Sequence, residues 1–152
     1  MTTRSLLPYG QQNHLMFAQG TNGMPTTLQQ CADPEEWRPG VVTRMLVSAR
    51  TGARQLCLFE QWVEPGAGAP LHDHPVEEVL RVLAGLARVT LNGETVLVGA
   101  GQAILVPPLS AHAFVNDGPV QLHLQVTLAS AIFEARRTDT GEIERRWQGT
   151  RG

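Results

Sequence analysis

From Val41 to Leu128 the chain is written in short runs of Val, Leu, Ile and Phe, broken every eight to twelve residues by Gly, Pro, Asn or Asp. No window of eleven or more residues in this stretch carries an i, i+3, i+4, i+7 apolar stripe free of Gly or Pro. Helices are thereby excluded, and the pattern is that of an all-β sandwich or barrel. The runs predict strands near 41–48, 54–63, 77–83, 86–91, 94–98, 102–106, 111–116 and 119–128. Asn92–Gly93, between Val89-Thr90-Leu91 and Val96-Leu97-Val98, predicts a two-residue type I′ hairpin because both residues tolerate positive φ. Asn116-Asp117-Gly118-Pro119 marks another turn.

The flanks read differently. Residues 1–40 form an arm: the first 30 are rich in Gln, Asn, Thr, Gly and Met without sustained periodicity, which predicts irregular chain with one short strand. Asp33-Pro34-Glu35-Glu36 has a capping residue, proline at the first helical position and glutamate behind it. That order predicts a helix of about one turn, ending before Pro39–Gly40 and anchored to the body by Trp37. The barrel region spans 41–130, and 131–152 is a tail, charged from Glu134 onward, with Ile143 and Trp147 as its apolar points. Such a tail packs as a strand or helix on the barrel, or on a second subunit.

At 152 residues the chain fits one domain and can bury roughly 70% of its unfolded surface without a staple. A metal ion here would therefore serve function rather than folding. Net charge is −2, and the basic residues are scattered apart from Arg136/Arg137 and Arg145/Arg146, so no phosphate-binding stripe exists and nucleic acid is excluded as a partner. Cys31 and Cys57 form no CxxC pair, and the first residues lack the apolar run of a signal peptide. The expected location is the reduced cytoplasm. No run reaches the ~18 consecutive apolar residues of a membrane span.

The chemistry concentrates at His72, Asp73, His74 and Glu78. Alternate residues of an extended strand share a face, so His72, His74 and Glu78 point into one space. Imidazole and carboxylate are ligands of zinc and the divalent transition metals. Pro75 interrupts the strand and can carry a bulge, which leaves Glu77 as the runner-up to Glu78. His112 is the candidate fourth ligand. His14 and His123 read as surface or hydrogen-bonded histidines. His123 shares the polar face of its strand with Gln121 and Gln125, a face for solvent or a subunit contact, while Leu122, Leu124 and Val126 take the other.

Two spaced motifs carry a resemblance. Gly66, five residues, His72, one residue, His74, three residues, Glu78, six residues, Gly85 resembles the first motif of the cupin superfamily at every position. Gly101, five residues, Pro107, one residue, Leu109, two residues, His112, three residues, Asn116 is similar to the second motif, with Leu109 where a glycine is expected. The fifteen residues between Gly85 and Gly101 match a short intermotif segment. The resemblance implies a small jelly-roll, or double-stranded β-helix, barrel that holds a metal through His72, His74, Glu78 and His112 in its mouth, and it implies a homodimer.

Three nitrogens and one oxygen leave one or two open positions on a five- or six-coordinate ion, whether Fe, Mn, Ni or Co, with Zn also among the candidates. Such an ion takes a diol, enediol, hydroxy-ketone or carboxylate of a small-molecule substrate, and iron also takes dioxygen. Glu78 is either a permanent ligand or a carboxylate that leaves the metal to act as general base. Strand parity puts Leu80 and Val82 with Glu78, and Phe114 and Asn116 with His112, and offers Phe59 and Gln61 as further lining, so the pocket is expected to be largely apolar. The expected function is a metal-dependent oxygenase acting on a weakly polar molecule. The alternatives are a non-redox isomerase, lyase or decarboxylase, or a non-catalytic ligand-binding module.

Overall fold

The computed structural model describes residues 33–149 in full, together with the backbone of two short strands before them. Those two, β1 (Phe17–Gln19) and β2 (Pro25–Thr27), pair antiparallel, so the arm expected to hold one short strand holds a pair. His14 and Cys31 lie outside the described residues. The body is built from β3 (Glu35–Arg38), β4 (Val41–Val47), β5 (Cys57–Val63), β6 (Gly68–Asp73), β7 (Glu78–Ala84) and β8 (Leu86–Leu91). It continues with β9 (Glu94–Gly99), β10 (Ala103–Val106), β11 (His112–Asn116), β12 (Leu122–Leu128), β13 (Phe133–Arg137) and β14 (Ile143–Arg146). One sheet has the order β10-β7-β12-β5-β4-β3, the other β14-β13-β6-β11-β8-β9, and every pairing is antiparallel. Between β5 and β12 the chain crosses sheets at each connection except the β8–β9 hairpin. This is a jelly-roll barrel, the all-β class expected from the turn-punctuated runs.

Alternation dictates which face is buried. On β12, Leu122, Leu124, Val126 and Leu128 are buried and His123, Gln125 and Thr127 face outward. Their partners across the ladder, Val63 and Phe59 on β5 and Val82 and Leu80 on β7, fill the same interior. Asn92 and Gly93 both have positive φ, 49° and 83°, and join Leu91 to Glu94 in register, as the hairpin signal predicts. Gly68 has a different reason to be glycine. A Cβ there would stand 1.9 Å from the Phe114 carbonyl oxygen, so only glycine lets β6 approach β11 this closely.

The helical turn expected at Asp33-Pro34-Glu35-Glu36 is instead the strand β3. Glu35 and Glu36 pair with Thr43 and Val42, and Gly40, at φ 77°, turns the chain between β3 and β4. A one-turn helix cannot meet its nucleation cost alone. An edge strand that also packs a half-buried Trp37 against the core can. Trp37 does anchor this segment, with ring centroids 5.5 Å from Phe59, 4.7 Å from Phe133 and 5.3 Å from Trp147. The tail also resolves: β13 and β14 form a hairpin, β13 lies beside β6, and Trp147 is buried behind it. No helix among the described residues is long and apolar enough to cross a membrane.

Candidate metal centre

Three strand ends meet at one point inside the barrel. β6 delivers His72 near its C-terminus with His74 just beyond, β7 starts at Glu78, and β11 starts at His112, which pairs with His72 across the ladder. Asp73, between the two histidines, faces the other way and binds the Arg136 guanidinium at 2.6 Å. His74, Glu78 and His112 are buried and His72 is half-buried. Glu77 is exposed and contributes only its backbone carbonyl, to Ala129 N–H. The strand expected to run through 72–78 is interrupted instead: β6 ends at Asp73, residues 74–77 cross to the other sheet, and Glu78, which opens β7, is the carboxylate in the cluster.

Each ring is oriented in the same manner. Nδ1–H of His72 donates to the Pro70 carbonyl (2.7 Å), that of His74 to the Glu134 carbonyl (2.6 Å), and that of His112 to the Ser110 carbonyl (2.8 Å). Spending the Nδ1 proton on a carbonyl fixes the tautomer and leaves Nε2 with a free lone pair. One nitrogen from each of the three rings lies within 4.8 Å of the others. The Glu78 carboxylate adds two more acceptors, Oε2 at 2.8 Å from His74 Nε2 and Oε1 at 3.0 Å from His112 Nε2.

That arrangement is one cation short. A neutral His74 ring already donating from Nδ1 offers the buried Glu78 Oε2, 2.8 Å away, only the Nε2 lone pair, so this contact becomes a hydrogen bond only when Nε2 is protonated. Lone pair against lone pair at this distance needs a proton or a metal ion between them. Three imidazole nitrogens and a carboxylate are a donor set for Zn, Fe, Mn, Ni or Co, so the residues present fit a divalent transition metal.

The electrostatics agree. Burial, and then the neighbouring His112 and His74, push His72 down to about 4, so it is neutral at physiological pH. For Glu78, burial alone would raise the pKa, but hydrogen bonds to His112 and His74 outweigh it and hold the carboxyl well below the usual carboxylate range. Burial pulls His74 down too, yet the hydrogen bond and charge of Glu78 carry it above its ordinary value. Without a metal, His74 thus tends to take the missing proton.

Beside the cluster lies a cavity of about 360 Å³, at the lower end of the range for small-molecule sites. His72 and Glu78 line one part of it, and Trp37, Phe59, Leu80, Phe114 and Phe133 supply aromatic and aliphatic walls. Of the lining residues expected from strand parity, Leu80, Phe114, Phe59 and Gln61 are present. Val82 and Asn116 are not among them. Val82 packs in the core, and Asn116 donates from Nδ2 to the carbonyls of Val63 and Val120, bracing the chain ends of the barrel. The residues that parity missed are Ala69 and Pro70 on β6, Val126 on β12 and, from the flanks, Trp37 and Arg38 on β3 and Phe133, Ala135, Arg137, Glu142 and Glu144 on or between β13 and β14. Only the isolated tryptophan in Glu-Glu-Trp signalled any of the flanking ones. His123, outside the cluster as expected, stacks on Trp62 (4.8 Å between centroids) with its Nε2 3.1 Å from Glu60.

Comparison with known proteins adds a family. A family model described as Cupin domain matches residues 59–128. Protein SchB from Streptomyces halstedii is 31% identical over 112 residues, covering 73% of this chain and 79% of its own. Mannose-1-phosphate guanylyltransferase ManC from Salmonella typhimurium is 41% identical over 64 residues. That match takes in 41% of this chain but spans only 13% of the enzyme's length. Among solved structures, the polyketide cyclase RemF from Streptomyces resistomycificus superposes with a TM-score of 0.61 at 29% identity, covering 69% of this chain and 78% of that one.

Proposed function

Because the chain belongs to the cupin superfamily, we propose that it is a metal-dependent enzyme for a small organic molecule, and specifically a non-redox cyclase that closes rings within a chain of ketones. The observation that carries the metal is the convergence of three Nε2 lone pairs, each set by an Nδ1–H bonded to a backbone carbonyl, on the buried Glu78 carboxylate. His72, His74, His112 and Glu78 would hold the ion. The likeness to a polyketide cyclase supports the reaction class and puts it ahead of the oxygenation expected from the donor set alone.

A divalent ion at these residues would supply Lewis acidity toward a substrate oxygen. The protein supplies the rest. Glu78, ionised at neutral pH, would receive a proton from a carbon flanked by two carbonyls once one of its oxygens turns from His74 or His112 to the substrate. The resulting carbanion attacks a ketone further along the same chain. A proton returns to the new alkoxide, and water leaves, with no external oxidant or reductant required. Trp37, Phe59, Phe114 and Phe133 pack against a flat, folded chain and exclude bulk water from it.

The test is turnover of a synthetic linear poly-β-ketone acid by zinc- or iron-loaded protein under argon. The expected product has lost one water relative to the substrate by mass spectrometry. Turnover that stops under argon, with labelled oxygen appearing in the product, overturns the cyclase in favour of an oxygenase. A homodimer belongs to the same proposal, and a monomer at micromolar concentration in sedimentation velocity refutes it.

A further inference from the structure

β3 brings one more polar group to the cavity wall. Arg38 is half-buried and lines the cavity beside Trp37 and Phe59. Its side chain donates from Nη1 to the Gly68 carbonyl at 3.0 Å. Gly68 opens β6, and His72 lies four residues further along it, roughly 13 Å on an extended strand. The guanidinium and the ligand cluster therefore sit toward opposite ends of one strand, with aromatic walls between them.

The charges around Arg38 are already matched to one another. Arg137 binds Asp139 at 2.6 Å, and Arg146 binds Glu35 at 3.2 Å and also Glu144. Glu142 is exposed at the rim. Among the described residues no carboxylate is in ion-pair contact with Arg38. A guanidinium has five N–H donors in a planar fork, and Arg38 spends one on Gly68. Burial lowers its pKa, against the opposing pull of Glu144 and with the repulsion of Arg146 and Arg137. A partly desolvated cation with unspent donors on a cavity wall is what an incoming anion would compensate.

We propose that Arg38 is an anion subsite, so that the substrate is an elongated molecule with oxygen donors for the His72–His74–His112–Glu78 cluster at one end and a carboxylate at the other. The first end rests on the metal-centre reading above; the carboxylate end rests on Arg38. The competing account makes Arg38 a strut that ties β3 to β6 through Gly68. A strut is indifferent to the charge of the ligand, and a subsite is not.

The experiment is calorimetric titration of zinc-loaded full-length protein with a dihydroxynaphthoate whose catechol and carboxylate lie on opposite rings, with its methyl ester, and with unsubstituted naphthoate and its ester. Wild type is expected to bind each acid more tightly than its ester by roughly ten- to a hundredfold, the span of one charged hydrogen bond. Arg38→Met abolishes that preference while zinc content and ester affinity hold, and Arg38→Lys restores part of it. Equal affinity of acid and ester in wild type overturns the subsite, as does an equal loss of both in Arg38→Met. Where Arg38→Met fails to fold, the wild-type ratio and Arg38→Lys decide the matter. The metal-centre reading is tested separately, by the gain of dihydroxynaphthoate over naphthoate, so the failure of either reading is visible without the other.

Discussion

Among the described residues, Leu109 and Trp147 are the two bulky side chains held at positive φ, and Leu109 is the one beside the ligand cluster. It stands where a glycine is expected, and its φ is 60°, inside the left-handed region that costs an L-residue about 1–2 kcal/mol. Its N–H donates to the His74 carbonyl at 2.8 Å, and the next residue, Ser110, supplies the carbonyl that orients His112. The strain is thus held at the turn that joins two ligands. Leu109 is 65% exposed, so comparing two truncations removes the packing contribution and leaves the backbone. In most positions glycine is worse than alanine, because its unfolded chain is freer by about 0.4–1 kcal/mol. At 109 the relief of 1–2 kcal/mol exceeds that, so Leu109→Gly is expected to be more stable than Leu109→Ala by about 1 kcal/mol. For a chain of this length that is a difference in Tm of about 2–4 °C. Leu105, also exposed but in the extended strand β10, is the control, and there the order reverses. Thermal unfolding followed by circular dichroism reads both pairs. If Leu109→Ala equals or exceeds Leu109→Gly in stability, the turn is unstrained and the glycine of the motif has some other reason.

Other consequences can be checked as directly. His74→Ala and His112→Ala are each expected to lose bound transition metal by elemental analysis of protein purified without added metal, while His123→Ala retains it; unchanged metal in the first two removes the proposed centre. Gly68→Ala forces β6 away from the Phe114 carbonyl, and a loss of about 1–3 kcal/mol in urea unfolding is expected, where a neutral result would mean the strands part freely. In metal-free protein, His72 has a folded pKa of about 4 against 6.5 for the free side chain. The unfolded chain therefore binds more protons between these values, and stability falls as pH drops from 6.5 toward 4, by up to about 3 kcal/mol. His74, shifted the other way, favours folding below its unfolded pKa and offsets part of this loss. Replacing His72 by Asn should flatten the acid limb of stability against pH, and an unchanged limb would assign it to other groups.

The barrel was legible because its information is local. β8 and β9 with Asn92–Gly93 between them, and the alternation along β12, follow from period-two patterning and turn chemistry within a dozen residues. Parity along one strand did not bring the ligands together: β6 ends at Asp73 and Glu78 opens β7 in the other sheet, so His72, His74 and Glu78 meet across the barrel interior. Local patterning also failed at Glu35–Arg38, where capping residues outscored a strand whose stabilising contacts, Phe59, Phe133 and Trp147, lie from 22 to 110 residues away in the chain.

By itself the amino-acid sequence determined the all-β class, the hairpin and the candidate ligand set, with Glu77 still beside Glu78, since each rests on the identity and spacing of side chains along the chain. Tertiary structure alone decided that Glu78 rather than Glu77 enters the cluster, and that His74 spends its Nδ1 proton on the carbonyl of Glu134, sixty residues downstream. It also made the cavity, by laying β3 beside β4 and β13 beside β6, so that residues read as arm and tail became its walls. The physical reason is that backbone carbonyls and sheet edges accept partners from any part of the chain, and nothing in the spacing of side chains records which partner arrives.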